Sequence, residues 1–283
     1  MSALLVCIDD STYTRSVLDH AGWAATRLQA DVELLHAIER QPVRPPADLS
    51  GSIGMDDDQS LLAELARLDE QRGRLALQHG HQLLDAAAAD LRGHGVAQVH
   101  VRLRHGSLVD VIAEEPLDHE LLVLGKRGEH ADFARLHLGS TMERMLRAST
   151  RPLLVASRAF RPLQRVLVAF DGSPSARKAV EWVARSPLLA GLECHLLMVA
   201  AEDRAASMHM DWARALLEAS DVSFRAEIIP GHAEEVLTGY VERQSMDLLV
   251  AGAYGHSRIR ELLVGSTLTG LIRSCLVPVL VVR

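Results

Sequence analysis

Two stretches of the chain carry glycine and hydroxyl residues at spacings suited to holding an anion. The later stretch, 252-GAYGHSRIRELLVGST-267, follows the apolar run 248-LLVA-251 and places three glycines before a Ser-Thr pair: Gly252, Gly255, Gly265, Ser266 and Thr267. Because glycine has no Cβ, the backbone can turn tightly there and approach a bound group closely. The Ser-Thr pair opens a run with helical apolar spacing, and the amino end of a helix offers unpaired N–H groups to a phosphate.

The earlier stretch, 121-LLVLGKRGEHADFARLHLGST-141, repeats this arrangement with one change. Its corresponding residues are Gly125, Gly128, Gly139, Ser140 and Thr141. Ten residues separate Gly128 from Gly139, whereas nine separate Gly255 from Gly265. The extra residue shifts the loop relative to the helix, so we expect a degenerate site. It could still bind an anion, with Lys126 and Arg127 nearby.

Ligand-free turns and helix caps use the same residue types and are the alternative interpretation of both stretches. Other phosphate and catalytic motifs are absent: the sequence contains no Walker A loop, no Gly-x-Gly-x-x-Gly fingerprint, no Gly-x-Ser-x-Gly elbow and no His-Glu-x-x-His pair. No paired carboxylates or base–nucleophile arrangement stands out, and no metal site is predicted. The sequence therefore favours ligand binding over catalysis.

Composition narrows the class of protein further. The 283 residues carry a net charge of -7 without a basic stripe, which argues against nucleic-acid binding. Three cysteines lie inside apolar segments, as expected of core residues in a reducing compartment. The first residues lack the basic region of a signal peptide, and no apolar run is long enough to span a membrane. We expect a soluble cytoplasmic protein.

The chain reads as two copies of one domain. The segment 4-LLVCIDDS-11 matches 166-VLVAFDGS-173, and 152-PLLVA-156 matches 278-PVLVV-282. We place the copies at residues 1–158 and 159–283, joined near 157-SRAFRPLQ-164. The first copy is longer in the middle and includes a long helical pattern from about Asp57 to Leu91.

Each copy alternates short apolar runs with amphipathic segments. Runs such as 165-RVLVAF-170 are continuous and β-branched, as in strands buried on both faces. Strands separated by helices predict an α/β fold with a parallel sheet and helices on both faces. In such sheets ligands lie outside the carboxyl ends of the strands, which is where Gly252 falls.

The spacing Gly-x2-Gly-x9-Gly-Ser resembles the nucleotide-binding signature of the universal stress protein family. The resemblance covers both copies, including 171-DGS-173 and the terminal 277-VPVLVV-282. It implies two tandem five-stranded open sheets of order 3-2-1-4-5, and an adenine nucleotide, usually ATP, in the crevice between strands one and four. ADP, AMP and an accompanying Mg²⁺ fit the same expectation.

The same resemblance assigns roles to individual residues. Asp171 would border the base and ribose, with a turn cap as the alternative role. Val199 would line the adenine pocket, and the ribose and phosphates would meet the glycines and the Ser-Thr pair of the later stretch. In the first copy the corresponding positions begin with Asp9, and Asp10 stands where the second copy has Gly172. We therefore expect domain 2 to carry the main site.

The resemblance favours a stress-response protein that binds a nucleotide and acts as a sensor or regulator. A slow ATP-hydrolysing enzyme and a scaffold whose first domain binds a different ligand are the alternatives. The final strand of each copy would lie at a sheet edge, so we expect the copies to pair as an internal pseudo-dimer. Further assembly is then not required, and the sequence leaves it open.

Overall fold

The computed structural model describes residues 2–39, 55–114, 119–128, 140–253 and 265–283. Ten strands form one sheet: β1 Ala3–Cys7, β2 Asp31–Ile38, β3 Val99–His105, β4 Leu121–Gly125, β5 Leu153–Ala156, β6 Arg165–Phe170, β7 Glu193–Val199, β8 Phe224–Ile229, β9 Leu248–Gly252 and β10 Val279–Val282. The helices of the described chain are α1 Thr14–Leu28, α2 Met55–Gly93, α3 Leu108–Glu114, α4 Ser140–Ala148, α5 Pro174–Arg185, α6 Arg204–Ala219, α7 Ala233–Arg243 and α8 Ser266–Ser274. A 3-10 turn, Pro187–Leu189, follows α5.

The strand order is β3-β2-β1-β4-β5-β10-β9-β6-β7-β8. Within the first half, β1 to β5, and within the second half, β6 to β10, neighbouring strands are parallel and follow the order 3-2-1-4-5. The predicted α/β class and strand order are confirmed. In each half the crossover direction changes beside the first strand, which places a crevice between the carboxyl ends of the first and fourth strands.

The two halves meet through their last strands. β10 pairs antiparallel with β5, with Leu280 opposite Leu154. Both residues are fully buried. An edge strand presents unpaired N–H and C=O groups, and here each half satisfies the edge of the other. The result is a single ten-stranded sheet.

Alternate residues of the strands supply two separate cores. In β1, Leu4 and Val6 belong to the core beneath α1, α2, α5 and α6, whereas Leu5 and Cys7 belong to the core beneath α3, α4, α7 and α8. Successive side chains of a strand point to opposite faces, so a strand covered by helices on both sides must be apolar throughout. This requirement explains the continuous apolar runs. All three cysteines are buried and free, as the sequence predicts.

The connector between the halves lies against α1. The buried Ser16 Oγ donates to the Ser157 carbonyl at 2.8 Å, and the buried His20 ring meets the Phe160 ring edge-on at 4.9 Å between centroids. His20 Nδ1 bonds the Ser16 carbonyl at 2.6 Å. A second link crosses from α1 to the second half, where Arg27 Nε donates to the Leu188 carbonyl at 2.5 Å.

Helix α2 is longer at both ends than the predicted Asp57–Leu91. Its carboxyl-terminal part packs on the sheet through Leu84 and Leu91, both buried, whereas its earlier turns carry exposed residues such as Leu68 and Leu75. Among the described helices none is both long enough and apolar enough to cross a membrane.

Candidate functional site

The β6–α5 turn in the second half begins at Asp171. Asp171 Oδ1 accepts the Ser173 N–H at 2.9 Å, and Gly172 between them has a left-handed φ of 76°. Ser173 then caps α5, because its Oγ accepts the Ala176 N–H at 3.3 Å. One oxygen of Asp171 thus holds the turn, which is the alternative role that the sequence allowed. This turn sets the start of α5 at the carboxyl edge of the sheet.

Gly252, the last residue of β9, lies directly beneath the first turn of α5. A Cβ at this position would come within 2.6 Å of the Ala176 nitrogen and of the Ser175 carbonyl carbon. Backbone atoms cannot yield as a flexible side chain can, so this contact requires glycine. The sequence interpretation for this glycine was close approach to a ligand, and the structure shows a packing requirement. The glycine also lets α5 sit on the end of β9 and form one wall of the crevice.

The N-cap position of α8 is occupied by a glycine. Gly265 stands at its N-cap position and supplies no side-chain cap, and the Ser266 and Thr267 side chains that follow are exposed. Helices α5 and α6, by contrast, are capped by Ser173 and Asp203. The first N–H groups of a helix lack partners within it, so those of α8 are suited to bind an anion. Because α8 returns antiparallel to β9, this end lies at the carboxyl edge of the sheet.

Val199 ends β7 at the same edge and is half-buried. The structure thus brings the ends of β6, β7 and β9 and the start of α8 to one side of the second half. Gly255 lies outside the described residues. The predicted positions Asp171, Gly252, Gly265 and Val199 therefore share the edge at which the sequence placed a ligand.

Three residues near this edge were missed by sequence reasoning: Arg177, His209 and Trp212. Arg177 lies over the Trp212 ring at 4.3 Å from its centroid, contacts His209 Nδ1 at 2.9 Å, and donates from Nε to the Gly172 carbonyl at 3.2 Å. These three side chains connect α5 to α6 above the turn at Gly172. A Cβ at Gly172 would lie 2.6 Å from the His209 ring. The only available signal was the i,i+3 spacing of His209 and Trp212 on one helix.

The first half builds a related turn from Asp9. Asp9 Oδ1 accepts the Ser11 N–H at 3.1 Å, and Asp9 Oδ2 lies 3.0 Å from the place that a Cβ on Gly128 would take. Gly125 packs against Tyr13: a Cβ added to Gly125 would lie 2.9 Å from the Tyr13 Cβ. The structure therefore brings Asp9, Gly125 and Gly128 together. Thr141 lies in the first turn of α4, half-buried, while Gly139 lies outside the described residues.

At two positions of this crevice the first half has a different residue from the second half. Asp10, which stands where the second half has Gly172, contacts His79 Nε2 on α2 at 3.2 Å. Lys126, which the sequence places near the possible anion site of the first half, donates from Nζ to the Cys275 carbonyl of the second half at 2.9 Å. Burial lowers the pKa of Lys126 to about 8, with the nearby Arg127 acting in the same direction.

Two further features lie away from the crevices. Among the described residues, Asp19, Asp90 and His94 form a group close enough to hold a metal ion. Arg15 forms ion pairs with both carboxylates, at 3.3 Å from Asp19 and 2.9 Å from Asp90. A cavity of about 620 Å³ opens at the amino ends of β6 and β7, on the edge of the sheet opposite the predicted site.

Comparison with known proteins decides the family. The sequence profile of the "Universal stress protein family" matches residues 1–157 and 197–283. The chain belongs to the universal stress protein family. Universal stress protein Slr1230 of Synechocystis sp. is 36% identical over 287 residues, covering 100% of both chains. This relative matches both halves, so the tandem arrangement seen in the sequence is confirmed.

Solved universal stress proteins share the fold. The crystal structure of one from Archaeoglobus fulgidus superposes with a TM-score of 0.72 at 21% identity, covering 99% of this chain and 96% of the other. A universal stress protein solved in complex with cAMP covers 44% of this chain and 98% of its own, at 23% identity and a TM-score of 0.38. The first likeness supports the fold of this universal stress protein.

Proposed function

We propose that the second half of this universal stress protein binds an adenine nucleotide, ATP, ADP or AMP, with Mg²⁺ as a companion of the phosphates. The observation that carries the proposal is the glycine at the N-cap position of α8, which belongs to the spacing Gly-x2-Gly-x9-Gly-Ser. The N–H groups there have no side-chain cap from Gly265, and the site stands at the edge where open parallel sheets bind ligands.

The remaining positions follow from this placement. Gly265, Ser266 and Thr267 would hold the phosphates, and Val199 would line the adenine pocket. Gly252 and Gly255 would border the ribose and phosphates, with Asp171 beside the base and ribose.

The first half would bind no nucleotide of comparable affinity. Its loop holds one extra residue, Asp10 adds a negative charge where Gly172 has none, and Lys126 is turned toward the second half. A phosphate would meet more negative charge and lose one of the two cations, Lys126 and Arg127, expected beside it. We therefore propose one tight nucleotide per chain.

The bound state, rather than a reaction, would be the signal of this protein. A sensor or regulator needs only that nucleotide binding changes the conformation or contacts of the protein. In addition, the sequence shows no general base that would activate water for hydrolysis. Slow ATP hydrolysis is the second candidate, and a turnover assay on purified protein distinguishes it from binding alone. We further propose that residues 1–158 and 159–283 act as an intramolecular dimer, supported by the pairing of β5 with β10.

The decisive experiment starts from freshly purified protein, denatured and examined for adenine nucleotides by mass spectrometry. Nucleotide-free protein is then melted with and without millimolar ATP and Mg²⁺. Saturation at about a hundredfold over Kd should raise the free energy of unfolding by roughly 2.7 kcal/mol. A melt that ATP leaves unchanged contradicts the proposal.

Gly265→Val locates the phosphate site. Gly265 has φ −56° and ψ 136°, a backbone conformation open to any residue, so valine adds bulk at the helix mouth without backbone strain. We expect folding to be retained and ATP binding to be lost. Gly265→Ala is the milder matched variant. Normal ATP binding by a folded Gly265→Val protein would show that the phosphates bind elsewhere.

A further inference from the structure

The two helices that follow the glycine loops are each held at the carboxyl end by the opposite half. Lys126, directly after β4 in the first half, donates from Nζ to the Cys275 carbonyl at the end of α8, at 2.9 Å. In the opposite direction Arg283, directly after β10, donates from Nη1 to the Arg147 carbonyl in the last turn of α4, at 2.6 Å. Arg283 also donates to the Ser149 carbonyl.

These contacts fall where a helix needs them. The last four carbonyls of a helix have no partner within it, and the carboxyl end carries the negative pole of the helix dipole. A lysine or arginine there satisfies an acceptor and places a cation at its favoured end. The first half therefore completes α8, and the second half completes α4. The amino end of each helix is the candidate phosphate position of the half to which that helix belongs.

Helix α8 is short enough for its two ends to be mechanically linked. Nine residues at 1.5 Å each span about 13.5 Å, so a tilt at the carboxyl end displaces the amino end as well. Leu268, Leu271 and Ile272 hold one side of the helix in the core of the second half. Lys126 adds a contact from outside that half, and its own backbone is fixed by the end of β4.

We propose that Lys126 is a positioning residue for the nucleotide site of the second half, and that it acts by holding α8 from its carboxyl end. This proposal rests on the proposed function. Lys126 takes the position that Ala253 occupies after Gly252 in the other copy. The glycine loop of the first half would then support the other site instead of binding a phosphate of its own.

The distinguishing readout is the difference between ATP and adenosine. Adenosine shares the base and ribose of ATP and lacks its phosphates, so only ATP senses the amino end of α8. Full-length nucleotide-free protein is titrated with each ligand by calorimetry. In Lys126→Met we expect ATP affinity to fall about fivefold while adenosine affinity is unchanged, in the range of typical couplings between sites. Lys126→Arg should restore most of the ATP affinity.

Arg283→Met is the matched control, because it removes the mirrored contact on α4 and leaves α8 untouched. It should bind ATP as the unaltered protein does. Unchanged ATP affinity in Lys126→Met, or equal loss for ATP and adenosine, overturns the proposal while the proposed function stands. Lys126→Gln replaces Lys126→Met if the latter does not fold.

A second measurement needs no nucleotide and separates the two proposals. Amide hydrogen exchange should become faster in the last turn of α8 in Lys126→Met, and faster in the last turn of α4 in Arg283→Met. Unaltered exchange in α8 overturns the positioning role on its own. Absence of binding of either ligand to the unaltered protein would instead overturn the proposed function and, with it, the role assigned to Lys126.

Discussion

Gly252 is required by packing, whether or not a ligand is bound. Its missing Cβ admits the backbone of Ser175 and Ala176, which places the start of α5 on the end of β9. Gly125 makes the corresponding contact with Tyr13 in the first half, where the adjoining loop has the different spacing. A glycine present at the same position in both halves can thus be required by the fold. The two candidate sites differ instead in the number of residues between the second and third glycines of each loop.

Gly252→Ala tests this packing requirement at the residue scale. The added methyl would lie 2.6 Å from backbone atoms, so α5 must shift, and overpacking of this kind costs typically about 1–3 kcal/mol. We expect the free energy of unfolding to fall by that amount in denaturant titrations without nucleotide. Gly73→Ala, an exposed position in α2 with nothing within 4 Å of the new methyl, should be neutral or stabilising. Equal stability of Gly252→Ala and the unaltered protein would contradict the contact.

At the scale of elements, the connector is a packed part of the structure. Ser157 and Phe160 are held on α1 through Ser16 and His20, and Arg27 extends the contact of α1 to the second half. Because the connector is held on α1, this helix of the first half faces the second half. It also leaves a titratable ring buried: His20 is fully buried, and its Nε2 has no hydrogen-bond partner among the described residues.

The buried His20 predicts a dependence of stability on pH. Burial lowers the pKa of His20 below its ordinary value of 6.5, so the unfolded chain binds this proton more readily than the folded protein does. The contribution to stability is complete above pH 6.5 and is lost as the pH falls below 6.5 toward the folded pKa. The slope in that window is at most about 1.4 kcal/mol per pH unit.

The comparison is between the unaltered protein and His20→Gln, unfolded by denaturant at several pH values from about 7.5 to about 5.5, which bracket the ordinary histidine pKa. We expect the stability of the unaltered protein to decline more steeply toward low pH than that of the variant. The other histidines, from a total of 14, are common to both proteins and cancel in the difference. Parallel curves would show that His20 does not contribute to the slope.

At the scale of the whole molecule, ten strands form one sheet because each half completes the edge of the other. The pairing of β5 with β10 buries Leu154 and Leu280 and joins the cores across the junction. Lys126 and Arg283 add bonds in both directions at the ends of α8 and α4. The halves are therefore linked by backbone pairing and by side chains at the same boundary.

Leu280→Asp tests this junction. The substitution buries a carboxylate without a partner in the middle of β10, where Leu280 is fully buried. We expect a loss of several kcal/mol in stability, or separation of the halves into a longer particle in small-angle scattering. Leu276→Asp, at a position 83% exposed, is the matched control and should keep both the stability and the compact particle. A compact and stable Leu280→Asp protein would contradict the role of the junction.

The sequence by itself determined the repeat, the α/β class and the edge of the sheet at which the glycines lie. These features depend on local patterns: continuous apolar runs, helical spacing and turn residues, each readable within a few positions. The strand order came from the family resemblance. Tertiary structure decided what individual residues do, because those roles depend on partners far along the chain. Gly252 meets α5, His20 meets Phe160, and Lys126 reaches Cys275 across 149 residues, a contact that no local pattern in the sequence could reveal.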